Sequence, residues 1–328
     1  MRQNVMTPIP EGPAVHAPAS GGSTIASAAC ALNGTASRAP FPQQDRSPAA
    51  AQGASRRPLA LSPSRANDFR QCPLLYRFRA IDRLPEATSR AQLRGTVVHA
   101  TLEALYELPA GHRNPEAAAQ LIAPVWEKAC ADAPEVVELV AGTPESFLGE
   151  VERLVRRYFD MEDPTQFNPE SCELLVEAHT ADGALLRGFV DRVDVAPTGE
   201  VRVVDYKTGR SPSHNAVGQA LFQMKFYALV IYRIRKVVPA QLKLMYLGDG
   251  NSLTYTPEAA ELDRFERTLS AIWRAIRSAG DSGDFRPSPG RLCNWCDHKA
   301  HCPAFGGTPP VYPGWPEDSV PSAHAEWG

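Results

Sequence analysis

Val201-Arg202-Val203-Val204-Asp205-Tyr206-Lys207-Thr208-Gly209 is the stretch on which the fold turns. Three β-branched residues, Val201, Val203 and Val204, favour a strand, and Gly209 punctuates its end. Along a strand residues i and i+2 share a face, so Asp205 and Lys207 emerge side by side where the apolar run stops. Upstream, Gly188-Phe189-Val190-Asp191-Arg192-Val193-Asp194-Val195 reads as a second strand, joined to the first by the turn-like Pro197-Thr198-Gly199. That hairpin brings Asp191 towards Asp205.

Two carboxylates beside an ammonium suit metal-assisted phosphodiester hydrolysis. Carboxylates hold a hard divalent cation such as Mg²⁺, which polarises a phosphate and acidifies water, while a lysine orients the water or stabilises charge on phosphorus. By itself an Asp-x-Lys triplet is usually a surface ion pair at a strand end, so the neighbouring residues decide.

The 328 residues, 43% hydrophobic, suffice for a sizeable core in one large domain or two small ones. The sequence holds no apolar run of about eighteen residues, and its first residues lack the apolar core of a signal peptide. A cytoplasmic protein without a membrane span is expected. A net charge of −3 excludes nucleic-acid binding through bulk basic composition. Locally, however, Arg65, Arg70, Arg77, Arg79, Arg83, Arg90 and Arg94 face only Asp68, Asp82 and Glu86. That excess suits a polyanionic substrate or, equally, a solvated helix face. Seven cysteines argue for metal or cluster chemistry over a disulfide framework.

Residues 1–58 are rich in Ala, Pro, Ser and Gly, with Phe41 the only aromatic, and are expected to be a disordered tail. The folded part is expected over 59–306, followed by a second disordered tail at 307–328. Ser62-Pro63-Ser64 opens a helix that Cys72-Pro73 ends, because the residue before proline is pushed out of the α region. Cys72 is thereby left at a boundary where its thiol can point to a ligand. Leu93, Val97, Leu102 and Leu105 mark a helix over Arg90–Leu108, with His99 and Glu103 one turn apart. His99 is either a satisfied histidine or an imidazole ligand to the metal of Asp191 and Asp205.

Two further helices, around Pro115–Cys130 and Pro144–Phe159, carry no legible chemistry. Cys172–Ala178 is the first strand, and its Glu177 is either a third acid at the metal or a strand-end ion pair. Beyond Lys207, Val217, Leu221, Met224, Ala228 and Ile231 form the core stripe of a helix. Its flank lines up Gln219, Gln223 and Tyr227, towards the cleft or as a solvated row. Gln241–Leu247 is a fourth strand, and Pro257–Ser278 a last long helix. Helices, three strands, helix, strand, helix is the order of an α/β core with a mixed sheet.

Cys293, Cys296 and Cys302 can close on one centre, with His298, His301 or the remote Cys72 as fourth ligand. Thiolate-only ligation suits an iron–sulfur cluster, and three Cys with one His suits Zn²⁺. Either centre would pin the first helices to the end of the folded part.

With these residues in place, the chain resembles the RecB-family exonucleases of the PD-(D/E)XK nuclease superfamily, in the iron–sulfur branch of CRISPR-associated RecB-like and AddB-like proteins. The matches run in order: Gly95-x-x-x-His99-x-x-Leu102-Glu103, Gly188 to Asp194, Val204 to Gly209, Gln223-x-x-x-Tyr227, and one Cys ahead of a Cys-x2-Cys-x5-Cys set. The resemblance implies a restriction-endonuclease-like core, a mixed central β-sheet flanked by helices, with a helical N-terminal part and a Cys-ligated C-terminal cap. It implies that His99, Asp191, Asp205 and the backbone carbonyl of Tyr206 bind Mg²⁺ or Mn²⁺, and that Lys207 is catalytic. Gln223 and Tyr227 would help place the lysine and DNA, while Cys72, Cys293, Cys296 and Cys302 would hold a [4Fe–4S] cluster. The implied activity is metal-dependent exonucleolytic hydrolysis of DNA, often from single-stranded ends, in repair or recombination beside a helicase or recombination partner. The alternative is a non-catalytic DNA-binding iron–sulfur subunit that docks a helicase or recombinase.

Overall fold

The computed structural model describes residues 59–213 and 217–316; the expected tail at 1–58 and residues 317–328 lie outside them. Ser62 caps the first helix, α1 (Pro63–Gln71), its hydroxyl accepting the Arg65 N–H at 3.2 Å, with Pro63 at a position that needs no donor. Cys72 is extended, and Pro73 opens the one-turn α2 (Pro73–Tyr76), which continues as a π-helical turn over Arg77–Ile81. The proline effect thus puts the Cys72 thiol at a joint between two helices. A capping box between Ser89 and Gln92 starts α3 (Arg90–Glu107), and α4 (Pro115–Asp132) and α5 (Pro144–Met161) follow.

The sheet comes next: β1 (Ser171–His179), β2 (Leu185–Val195), β3 (Val201–Lys207), then α6 (Val217–Arg235), β4 (Gln241–Tyr246), β5 (Asn251–Tyr255) and α7 (Ala259–Ser282). The strands lie in the order β1-β2-β3-β4-β5. Neighbours are antiparallel except β3 and β4, which run parallel because α6 makes the crossover between them. The β2–β3 turn needs Gly199, whose φ of +94° few other residues adopt. Strand β5 departs from the sequence reading, which has no strand there. It is short, and only Leu253 and Tyr255 alternate with the exposed polar residues, a signal too brief to stand out after the turn.

Helices α3, α4 and α5 form one core with the middle strands: Leu102, Leu105, Phe147, Val151, Val155 and Tyr158 pack with Val204, Tyr206, Met245 and Leu247. Each such side chain contributes about 1.5–3 kcal/mol by leaving water. Helix α6 packs on β1, β2 and β4 and is backed by α7 and α1. Inside the first core sits Arg192, fully buried. A bare guanidinium there would cost several kcal/mol, but Glu162 lies 2.7 Å and Asp194 3.0 Å from it. It also donates to the hydroxyls of Tyr106 and Tyr206 at 2.6 and 2.7 Å. Arg192 and Asp194 therefore brace β2 and β3 beneath the residues that follow.

Residues 307–316, inside the stretch expected to be a C-terminal tail, return along α7. The Tyr312 hydroxyl donates to Gly280 O at 2.7 Å, and Trp315 meets Trp273 at 6.0 Å between ring centroids. No helix of the described residues is long and apolar enough to cross a membrane.

Candidate active site

Strands β2 and β3 pair from Val195–Val201 to Arg192–Val204, where the ladder stops. One step further, Asp191 and Asp205 stand opposite each other by register. Asp191 Oδ2 accepts the Tyr206 N–H at 2.6 Å, a side chain doing what a ladder carbonyl would have done. Across the other edge of β2, the pairs Cys172–Arg192 and Leu174–Val190 place Glu173 opposite Asp191. Glu173 has φ +47°, a left-handed conformation that costs a glutamate on the order of 1 kcal/mol. Strain of that kind gathers at functional sites.

Helix α3 brings His99 to the same place. Its Nδ1 lies 3.4 Å from Asp191 Oδ2 and 3.8 Å from Glu173 Oε1. Among the described residues, His99, Glu173 and Asp191 are the one group of three His, Cys, Asp or Glu whose candidate ligand atoms all fall within 4.8 Å. Burial disfavours the imidazolium. Hydrogen bonds to Asp191 and Glu173, with the charges of Asp191 and Asp205, outweigh it and push His99 up to about 10. The surrounding carboxylates demand positive charge.

Lys207 Nζ lies 2.6 Å from Asp205 Oδ2, and Gln223 Nε2 donates to Asp205 Oδ1 at 2.8 Å. Burial first, then the charge of Asp191, raises the Asp205 pKa against the opposing pull of Lys207 and His99. Tyr227 is in hydrogen-bond contact with Gln223, and burial holds its hydroxyl protonated. Gly188 lets that ring come close: a Cβ there would sit 2.7 Å from Tyr227. A cleft of about 670 Å³ opens onto Lys207, Gln223 and Tyr227.

The structure therefore brings together His99, Asp191, Asp205, Lys207, Gln223 and Tyr227. Tyr206 joins through its backbone, while its ring turns to Arg192. Sequence reasoning missed Glu173 and considered Glu177 instead, which pairs with Arg187. Only the hairpin register singles out Glu173. The expected basic face over Arg65–Arg94 needs correction, because its charge is largely spent inside the protein. Arg77 pairs with Asp82 at 2.9 Å, and Arg79 with Asp68 and Glu86 at 2.6 and 2.7 Å. Arg90 and Arg94 share Glu150 of α5 at 2.9 and 3.4 Å, a partner that no count over the local stretch includes.

The profile of the PD-(D/E)XK nuclease superfamily matches residues 60–303, from the segment before α1 to the last cysteine. This chain belongs to that superfamily. Relatives of this PD-(D/E)XK protein include the gene 69 proteins of two mycobacteriophages. That of phage L5 is 31% identical over 127 residues, 38% of this chain and 41% of the phage protein. That of phage D29 is 25% identical over 270 residues, 74% of this chain and 96% of the phage protein. A crystal structure from Eubacterium rectale, described provisionally as an exonuclease, is similar at a TM-score of 0.48 and 15% identity, over 73% of this chain and 87% of that one.

The PD-(D/E)XK protein carries a second polar centre. Cys72, Cys293, Cys296 and Cys302 line one cavity of about 390 Å³. Ser288 N–H points at Cys72 Sγ at 3.4 Å and Gly290 N–H at Cys293 Sγ at 3.3 Å. Burial raises the Cys296 pKa, and the three other sulfurs add to it. His298 Nε2 lies 2.7 Å from Glu86 Oε1 and its ring packs on Phe78, which ties the cysteine segment to the stretch ahead of α3.

Proposed function

We propose that this PD-(D/E)XK protein is a metal-dependent DNA exonuclease of the cytoplasm, acting on single-stranded ends in repair or recombination beside a helicase or recombination partner. The observation that carries the reading is the convergence of His99, Glu173 and Asp191 with the Asp205–Lys207 pair at an open cleft. The donor set fits a hard cation, Mg²⁺ or Mn²⁺, in being oxygen-rich with one imidazole. Asp205 Oδ2 adds to the fit: it is buried, it faces Lys207 Nζ at 2.6 Å, and a carboxylate oxygen has a further lone pair to give a cation. Held by His99, Glu173, Asp191, Asp205 and the Tyr206 carbonyl, the ion would supply Lewis acidity towards a phosphoryl oxygen.

Lys207 then orients the attacking water and stabilises charge building on phosphorus. Gln223 keeps the Asp205 carboxylate aimed by holding its second oxygen, and Tyr227 backs Gln223. Two arginine-bearing concavities flank the end of β3, one with Arg65 and Arg187 and the other with Arg153, Arg157 and Arg210 beside the Arg94–Glu150 pair. Such walls suit a phosphodiester backbone.

In the cysteine cavity we place a [4Fe–4S] cluster. Four cysteine sulfurs around one cavity make the thiolate-only set that an iron–sulfur cluster takes, with Zn²⁺ as the alternative. Iron and zinc analysis of anaerobically purified protein decides between them.

The activity is tested with end-labelled single strands of both polarities in Mg²⁺ or Mn²⁺. Mononucleotide release is expected from the wild type, and Lys207→Ala should abolish it while the strand still binds. Cleavage by that variant at the wild-type rate would remove the lysine from the mechanism. Binding without product by the wild type would instead favour a non-catalytic subunit that docks a helicase or recombinase.

A further inference from the structure

The cleft that opens onto Lys207 has an apolar plate in its wall. Of the exposed large apolar side chains among the described residues, Phe189 alone lines that cleft, and it is 57% exposed. It sits two residues before Asp191 on β2, about 6.6 Å along the strand. Nothing in the core needs a phenylalanine there, and water contact makes it costly unless something covers it. Two residues earlier on the same face stands Arg187, and Arg65 of α1 borders the same cleft.

The two arginines are close enough for Arg187 to lower the Arg65 pKa, after the larger effect of burial. Arg65 donates to Ala60 O at 2.9 Å, and Arg187 leans on Glu177. Both are tethered from behind and still face one opening. Gly188, squeezed against Tyr227, locks this part of β2 to the helix that carries Gln223. Plate and cations are thus held rigidly relative to the catalytic lysine.

We propose that Arg65, Arg187 and Phe189 form a nucleotide subsite beside the catalytic centre, in which Phe189 stacks on an unpaired base and the two guanidinium groups hold the adjoining phosphate. The inference rests on the nuclease reading above and deepens it. A base inside a duplex has both faces covered by its neighbours, so the plate accepts only a base that has left the stack. The subsite therefore selects a single-stranded nucleotide next to the bond that is cut, by shape and without reading sequence.

The test uses the full chain with short oligothymidylates, intact or with one abasic position, read two ways. Binding is followed by fluorescence anisotropy in EDTA, and cleavage by product release in Mg²⁺. For the wild type, one abasic position should weaken binding roughly 5- to 150-fold, the range of a base–aromatic stack. In Phe189→Ala the intact strand should already bind that weakly, with no further abasic penalty, and Phe189→Trp should restore both. Arg65→Gln and Arg187→Gln should weaken all strands alike and flatten the salt dependence by about one charge each. Equal abasic penalties in wild type and Phe189→Ala would overturn the subsite, even if both proteins cut DNA. Absence of cleavage by the wild type, with the abasic penalty intact and lost in Phe189→Ala, would leave the subsite standing and overturn the nuclease reading. Since Phe189 is exposed, its variants should fold, and unchanged thermal unfolding confirms that.

Discussion

The acid cluster and the cysteine cavity are built by opposite means. Around Asp191 the ligand atoms come from three paired strands and one helix, and almost every polar atom already has a protein partner: Tyr206 N–H on Asp191, Lys207 and Gln223 on Asp205, His99 between two acids. Around Cys296 the sulfurs come from a helix joint and from short 3₁₀ turns, with the backbone N–H groups of Ser288, Gly290 and His298 aimed at them. The first site is pre-organised by the sheet, so a cation could enter or leave it without changing its shape. The second is tied to the stretch ahead of α3 through His298 on Glu86 and Phe78, and a metal centre on the four sulfurs would tie it further.

The sharpest way to break this contrast is at the two glutamates of β1. Glu173→Ala should lower cleavage by about 10²-fold or more, and Glu177→Ala by no more than a few fold, in a steady-state nuclease assay. Equal effects would mean that register does not define the site. Metal removal should separate the two regions next. A chelator selective for Mg²⁺ and Mn²⁺ should stop cleavage with little change in melting temperature, whereas Cys72→Ser should lower the melting temperature by several degrees and strip the visible absorbance of the cluster. If the melting temperature of Cys72→Ser matched the wild type, the cysteine centre would not be structural.

A smaller effect probes the brace under the first site. Arg192→Met should destabilise the protein by about 3 kcal/mol in urea unfolding, since Glu162 and Asp194 lose a buried partner while Arg202 still pairs with both. The smallest concerns the loop after β4. Asp249 receives the Ser211 N–H and hydroxyl at 2.9 and 2.7 Å, and these bonds, against a burial effect of opposite sign, hold its pKa at about 2. Its folded pKa lies below the unfolded value of about 3.9, so the contribution is fully present above that pH and fades as pH falls through 2. An NMR titration that gave Asp249 an ordinary carboxyl value would contradict these hydrogen bonds.

Much of the site was legible because its chemistry follows local periods. Asp205 and Lys207 two apart, Gln219, Gln223 and Tyr227 four apart, and Cys293 with Cys296 three apart need no tertiary knowledge to be read as neighbours. Other residues resisted for the same reason inverted. Glu173 and Glu177 have the same local credentials, and only the pairing of β1 with β2 sets one beside His99 and Asp191 and the other on Arg187. The arginines of 65–94 looked uncompensated because Glu150, which neutralises two of them, belongs to another helix.

The sequence by itself determined the strand that ends in Asp205 and Lys207, the helix start and stop around Cys72, and the order of the α/β elements, since propensity, proline sterics and residue period act within a few positions. Tertiary structure alone decided that Glu173 faces Asp191, that His298 meets Glu86, that Cys72 borders the same cavity as the three later cysteines, and that Phe189 stands uncovered in the cleft wall. Each of those depends on which distant surface arrives opposite, and strand register and burial are properties of pairs of segments that no single segment encodes.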